Sequence, residues 1–205
     1  MIINYLILFL KNIFFFFSKK GRPEKSLENF VLSPCGKYIT FLGNNGNIIL
    51  VSAQTKRLIT TLKMNGTVTS IAYTKDGRYL FSFGGDGEVY KWDMNKFTCV
   101  LRFRDDGCIH GTSIAVGHQR VLNQSDIGES VLLACGSDTG IVNLYRFDSD
   151  KPVLIHTFKN LVTPITKLKF SHDSQILAMC SRLKKNAFRF VIFFDSSFFF
   201  FLKKN

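Results

Sequence analysis

In "VTSIAYTKDGRYLFSFGGDGEVYKWD", residues 68–93, three apolar runs are separated by short polar turns. The runs "VTSIAY" (68–73), "YLFSFG" (79–84) and "EVYKWD" (88–93) are rich in β-branched and aromatic side chains. None sustains the 3.6-residue spacing of a helix, so each is predicted as a strand. A fourth run, "CVLRFR" (99–104), closes the unit. Asp76-Gly77 and Asp86-Gly87 fall between runs, where both residue types accept the positive φ of a tight hairpin turn. On composition alone "GGDG" (84–87) could also cradle a phosphate. Such a loop opens a helix whose N-terminus faces the anion. Here the next element is a strand, so a hairpin is predicted.

The pattern recurs. "SPCGKYITFLGNNGNIILVS" (33–52) aligns with residues 74–93, so that Gly36, Gly43 and Gly46 meet Gly77, Gly84 and Gly87, each 41 residues on. A third copy, "VLLACGSDTGIVNLYR" (131–146), brings Gly140 to the place of Gly87 after 53 residues, the surplus being an insertion around "GHQRVLNQSDIGES". A fourth copy begins at "ITKLKFSHDSQILAMCS" (165–181). Four strands on a period of about 40–45 residues are the pattern of a β-propeller blade. The fold expected is all-β: an incomplete propeller of about three full blades and part of a fourth, whose last strand is missing.

Composition sets the boundaries. Residues 1–20 and 191–205 hold eleven of the 22 Phe and no Gly, Ala, Pro or Arg, whereas 21–190 holds all 15 Gly. The expected organisation is a flank at 1–20, a partial propeller at 21–190 and a second flank at 191–205. Met1 to Phe17 is apolar except for Asn4, Lys11 and Asn12, and is shorter than the roughly 20 residues of a spanning helix. It lacks the basic start and small-residue cleavage site of a signal peptide. Three readings stay open for the flanks: A/T-rich non-coding sequence read in frame, a weak membrane anchor, or buried strands. The first is preferred, because Phe, Lys, Asn, Ile, Tyr and Leu all have A/T-rich codons.

Net charge is +12; without the flank residues Lys11, Lys19, Lys20, Lys203, Lys204 and Asp195, 22 basic and 14 acidic residues leave +8. An excess of this size favours an anionic neighbour such as RNA. The densest cluster, "SRLKKNAFR", carries Arg182, Lys184, Lys185 and Arg189, the candidate phosphate contacts. A solvated loop between strands would look the same. The five cysteines are odd in number and include no CxxC pair, which fits small core residues in a reducing compartment. No spaced metal ligands, P-loop, G-x-S-x-G elbow or H-E-x-x-H is present. Asp105 and Asp106 are adjacent in a loop and are read as a solvated turn. Neither catalysis nor a cofactor is expected.

Trp92-Asp93 on a repeat of this length resembles the WD40 family. Relative to Trp92, Ser82 and Asp86 match the positions from which that family builds a structural hydrogen-bond network. The Trp position is Val51 in the first unit and Tyr145 in the third, and the usual Gly-His before a blade is absent. A narrower resemblance runs through "FLGNNGNIILVS", "LKMNG", "DDGCIHGTSIAV", "LACGSDTGIVNLY" and "QILAMCSRLKKNAF". These phrases are similar to a family of U3 small nucleolar RNA-associated proteins, over residues 21 to about 190 and neither flank. That resemblance implies a nucleolar, hence nuclear, scaffold of the small-subunit processome, acting in early 18S ribosomal RNA maturation. Its implied partners are other processome proteins, U3 small nucleolar RNA and pre-ribosomal RNA, with no small-molecule substrate. The family's longer N-terminal region finds no match here. A WD40 adaptor reading peptides outside ribosome biogenesis is the alternative.

Overall fold

The computed structural model describes residues 29–122, 127–147, 151–194 and 197–202. The strands form four antiparallel four-stranded sheets, each in chain order. The first sheet holds β1 (Phe30–Leu32), β2 (Tyr38–Leu42), β3 (Asn47–Ser52) and β4 (Leu58–Lys63). The second holds β5 (Val68–Tyr73), β6 (Tyr79–Gly84), β7 (Glu88–Asp93) and β8 (Thr98–Arg104). The third holds β9 (Gly111–Leu122), β10 (Ile127–Ser137), β11 (Val142–Phe147) and β12 (Val153–Phe158). The fourth holds β13 (Lys167–Phe170), β14 (Ile176–Cys180), β15 (Phe188–Phe194) and β16 (Ser197–Leu202). The runs predicted at 68–73, 79–84 and 88–93 are β5, β6 and β7, and 99–104 lies within β8. "GGDG" is the β6–β7 hairpin turn, with Gly87 at φ 80°.

The sheets follow one another about a common axis like blades, with the first strand of each innermost. β5 packs on β9 and β9 on β13. Serines tie these inner strands together: Ser70 Oγ accepts from Ile114 N at 3.2 Å, and Ser113 Oγ from Leu168 N at 3.1 Å. Each seam between sheets is filled by alternate residues of both walls, as the two-residue period of a strand requires. Ile48 and Leu50 meet Ile71, Leu80 and Trp92 in the first seam. Phe81, Phe83 and Val89 meet Ile114, Leu133 and Tyr145 in the second. Leu132, Leu144 and Phe158 meet Ile165, Leu177 and Val191 in the third. The middle strands are therefore buried on both faces and read as nearly continuous apolar runs. Phe81 and Phe83 are fully buried, a gain of about 1.5–3 kcal/mol for each ring taken from water.

Several expectations need correction. The fourth sheet is not short of a strand: β16 pairs with β15 from Phe194↔Ser197 to Arg189↔Leu202. Its run "SFFFFL" has high β propensity, and pairing satisfies backbone groups that a bare edge at β15 would leave open. The surplus residues of the third unit lengthen its first hairpin: β9 and β10 stay paired as far as Leu122↔Ile127. Of the five cysteines, all free, only Cys108 and Cys135 are buried; Cys35 sits exposed within a turn and Cys99 exposed on an outer strand. The flank at 1–20 lies outside the described residues. Among those described, no helix is long and apolar enough to cross a membrane.

Candidate nucleic-acid interface

Strand register aligns the four sheets residue by residue. Ile39↔Val51, Leu80↔Trp92, Leu133↔Tyr145 and Leu177↔Val191 are equivalent pairs. Val51, Trp92, Tyr145 and Val191 thus share one position, and all four are buried. Trp92, Tyr145 and Val191 face the preceding sheet, whereas Val51 lies in a small buried cluster with Ile39, Phe41 and Ile49 on the far side of the first sheet. Two of the four carry a polar atom, and each of those has a partner. Trp92 Nε1 donates to Ser82 Oγ at 2.8 Å. Asp86, expected in the same network, instead accepts from Glu88 N at 3.1 Å and shapes the hairpin turn. Asp93 caps the next turn, accepting from Asn95 N at 2.8 Å.

Tyr145 uses a group that sequence reasoning assigned to solvent. Asp105 is only 2% exposed. Its Oδ1 accepts from Tyr145 Oη at 2.7 Å and from Asn143 Nδ2 at 2.9 Å. Thr157 Oγ1 completes the network by donating to Asn143 Oδ1 at 2.8 Å. The solvated-turn reading of Asp105 is therefore corrected: the linker before β9 folds back so that its first carboxylate plugs the seam. Burial raises the Asp105 pKa above the usual carboxylate range, against the lowering effect of the bonds from Asn143, Tyr145 and Cys108. Burial, and then the Asp105 charge, push the Cys108 thiol up to about 12. The available signal was Tyr145 at a Trp position, since a buried phenol needs a partner.

The basic cluster lies at the corresponding end of the third seam. Lys184, Lys185 and Arg189 line a cavity of about 220 Å³ together with Asn160, Thr163 and Asn186. Arg182 is exposed beside it and is not among the lining residues; its backbone N donates to Thr166 Oγ1 at 3.0 Å. Three of the four predicted cations are thus brought to one place. Arg189 Nη1 donates to Phe188 O at 2.9 Å, which fixes the guanidinium over the turn. Arg189 Nε and Thr163 Oγ1, both buried, have no hydrogen-bond partner. At the mouth, Val162 is 82% exposed and Leu183 73% exposed. Among the described residues no carboxylate lines the cavity. Among the described residues no group of three or more His, Cys, Asp or Glu could hold a metal ion.

Comparison with known proteins agrees with this architecture. The family described as "WD domain, G-beta repeat" matches residues 56–93. The chain is 45% identical over 174 residues to the U3 small nucleolar RNA-associated protein 18 homolog of Arabidopsis thaliana, covering 83% of this chain and 30% of that protein. It is 38% identical over 176 residues to the Homo sapiens homolog, covering 84% of this chain and 30% of that protein. Against U3 small nucleolar RNA-associated protein 18 of Saccharomyces cerevisiae it is 32% identical over 193 residues, covering 82% of this chain and 32% of that protein. The chain therefore spans about three tenths of the length of these relatives. Among solved structures, U3-55K superposes with a TM-score of 0.69 at 15% identity, covering 89% of this chain and 53% of the other. The WD40 repeats of RRP9 superpose with a TM-score of 0.68 at 16% identity, covering 89% and 52%. At such identities the superpositions speak for the fold alone.

Proposed function

Since the chain belongs to the WD40-repeat family, we propose that it serves as a non-catalytic scaffold of the small-subunit processome in early 18S ribosomal RNA maturation. The observation that carries this reading is the similarity to U3 small nucleolar RNA-associated proteins over more than four fifths of the chain. A propeller suits the role physically. Its rigid sheets present turns and linkers at two ends, where other proteins and RNA can dock without any moving part. The location that follows is the nucleolus. Other processome proteins, U3 small nucleolar RNA and pre-ribosomal RNA are the expected partners. Arg182, Lys184, Lys185 and Arg189 are the proposed RNA contacts, by charge rather than by base reading.

The test is to tag the gene product at its own locus, purify it from cells and sequence the RNA that accompanies it. Enrichment of U3 and pre-ribosomal RNA over total RNA is the expected result. Purification free of both, with peptide-motif proteins in their place, would establish the adaptor reading instead.

A further inference from the structure

Resting on that RNA-associated reading, we propose that the cavity between the β12–β13 linker and the β14–β15 turn is a phosphodiester-binding site for single-stranded RNA. The register of the sheets carries the inference. Two residues before the shared Trp position stand Tyr90, Asn143 and Arg189 in the second, third and fourth sheets. In the second sheet this position closes on the preceding linker: Tyr90 Oη accepts from Asn65 N at 3.4 Å. In the third sheet Asn143 donates to Asp105. In the fourth, the counterpart of Asp105 is Asn160, since each lies two residues after the partner of an equivalent valine: Val89↔Phe103 and Val142↔Phe158. A buried carboxylate receiving donors is thus exchanged for an exposed neutral amide that lines the same cavity as the Arg189 guanidinium. The seam opens there into a cavity of about 220 Å³.

The chemistry left in that cavity is one-sided. Arg189 Nε is a buried donor without a partner and Thr163 Oγ1 a buried hydroxyl without one, and an unmet buried donor is costly unless a ligand completes it. Lys184 and Lys185 add two ammonium groups, and among the described residues the lining includes no acid. The volume is below the roughly 300–1,000 Å³ of pockets that engulf a drug-sized molecule, and suits one phosphate group with part of its sugar. Outside the mouth, Arg182 and Lys159 are exposed and extend the cationic track. A lone phosphoryl group on a peptide would leave that track unused, whereas a polynucleotide brings a phosphate to each part of it. The exposed Val162 and Leu183 offer apolar surface to ribose and unstacked bases, which a duplex would keep out of reach.

The full-length tagged protein is irradiated at 254 nm in cells, purified under denaturing conditions and digested. Nucleotide remnants are then mapped on its peptides. Remnants are expected within 159–166 and 182–189. The double variant Lys184→Gln/Lys185→Gln, on an exposed turn, should lose about tenfold or more of its cross-linked RNA, as the removal of two phosphate contacts predicts. A control pair on the first sheet, Lys56→Gln/Arg57→Gln, should lose little. Remnants confined to other parts of the protein, or an undiminished yield from the double variant, would overturn the proposal. So would loss of a phosphatase-sensitive protein partner with RNA cross-linking intact. Mapping on the unmutated protein needs no variant to fold. Remnants in the seam without U3 enrichment would sink the processome reading and leave the site standing.

Discussion

Asp105 shows how one buried charge decides a seam. A carboxylate at 2% exposure is sustained by three donors, Asn143, Tyr145 and Cys108, yet burial still outweighs them and raises its pKa. The folded state therefore holds this proton at pH values where the unfolded chain has released it. Stability from this group is complete below the ordinary carboxylate range, falls as pH rises through the elevated folded pKa, and is level above it. Asp105→Asn keeps an oxygen for the same two bonds and removes the charge. The difference in urea midpoint between variant and wild type, at one protein concentration, should grow in the variant's favour from pH 4 upward and then flatten. A difference constant with pH would show that Asp105 titrates in the fold as it does in the open chain.

At the scale of elements, each hairpin turn is locked to the linker that follows it. Gly46, Gly87 and Gly140 take the same place in three sheets, with φ of 79°, 80° and 85°. A Cβ at Gly87 would come within 2.9 Å of Cys108 O, and one at Gly140 within 2.4 Å of Leu161 O. Gly87→Ala thus suffers left-handed strain of about 1–2 kcal/mol together with a carbonyl contact. It should lower the melting temperature by several degrees, whereas Gly107→Ala, with the same sign of φ but open space around it, should lower it less. Equal losses would assign the whole cost to φ. The turn at Gly87 was legible in the sequence, because Asp-Gly between apolar runs has few other uses, and Gly46 and Gly140 were legible as its equivalents in the repeat. β16 was not, because "SFFFFL" has no turn signal to separate it from a Phe-rich tail. The Asp105 network was hidden for another reason: its partners Asn143 and Tyr145 are 38 and 40 residues away, and only the packing of the seam brings them together. The cations were visible as a cluster, but not the cavity, which depends on a linker some 20 residues upstream.

For the whole molecule, closure is the controlling variable. Inner strands β1, β5, β9 and β13 border an open axial cavity of about 510 Å³. The outer face of the fourth sheet carries Ile176, Ala178, Phe188 and Ile192, half-buried, with Phe190 36% exposed. An apolar sheet face is covered in a closed ring by the next blade, and left to water it favours association. The first sheet does not repeat this, since Ile39, Phe41, Ile49 and Val51 on its far side are buried. Self-association of residues 1–205 should therefore run chiefly through the fourth sheet. Light scattering should show oligomers whose mass rises with protein concentration, and Phe190→Lys should shift the distribution towards monomer by placing a charge at the centre of that face. Phe190 points away from the third seam, where Val191 is packed, so the substitution leaves the lining of the cationic cavity in place. A sharp melt of monodisperse wild-type protein would mean that the open ring protects its own faces, and that the fourth sheet needs no further blade to be stable.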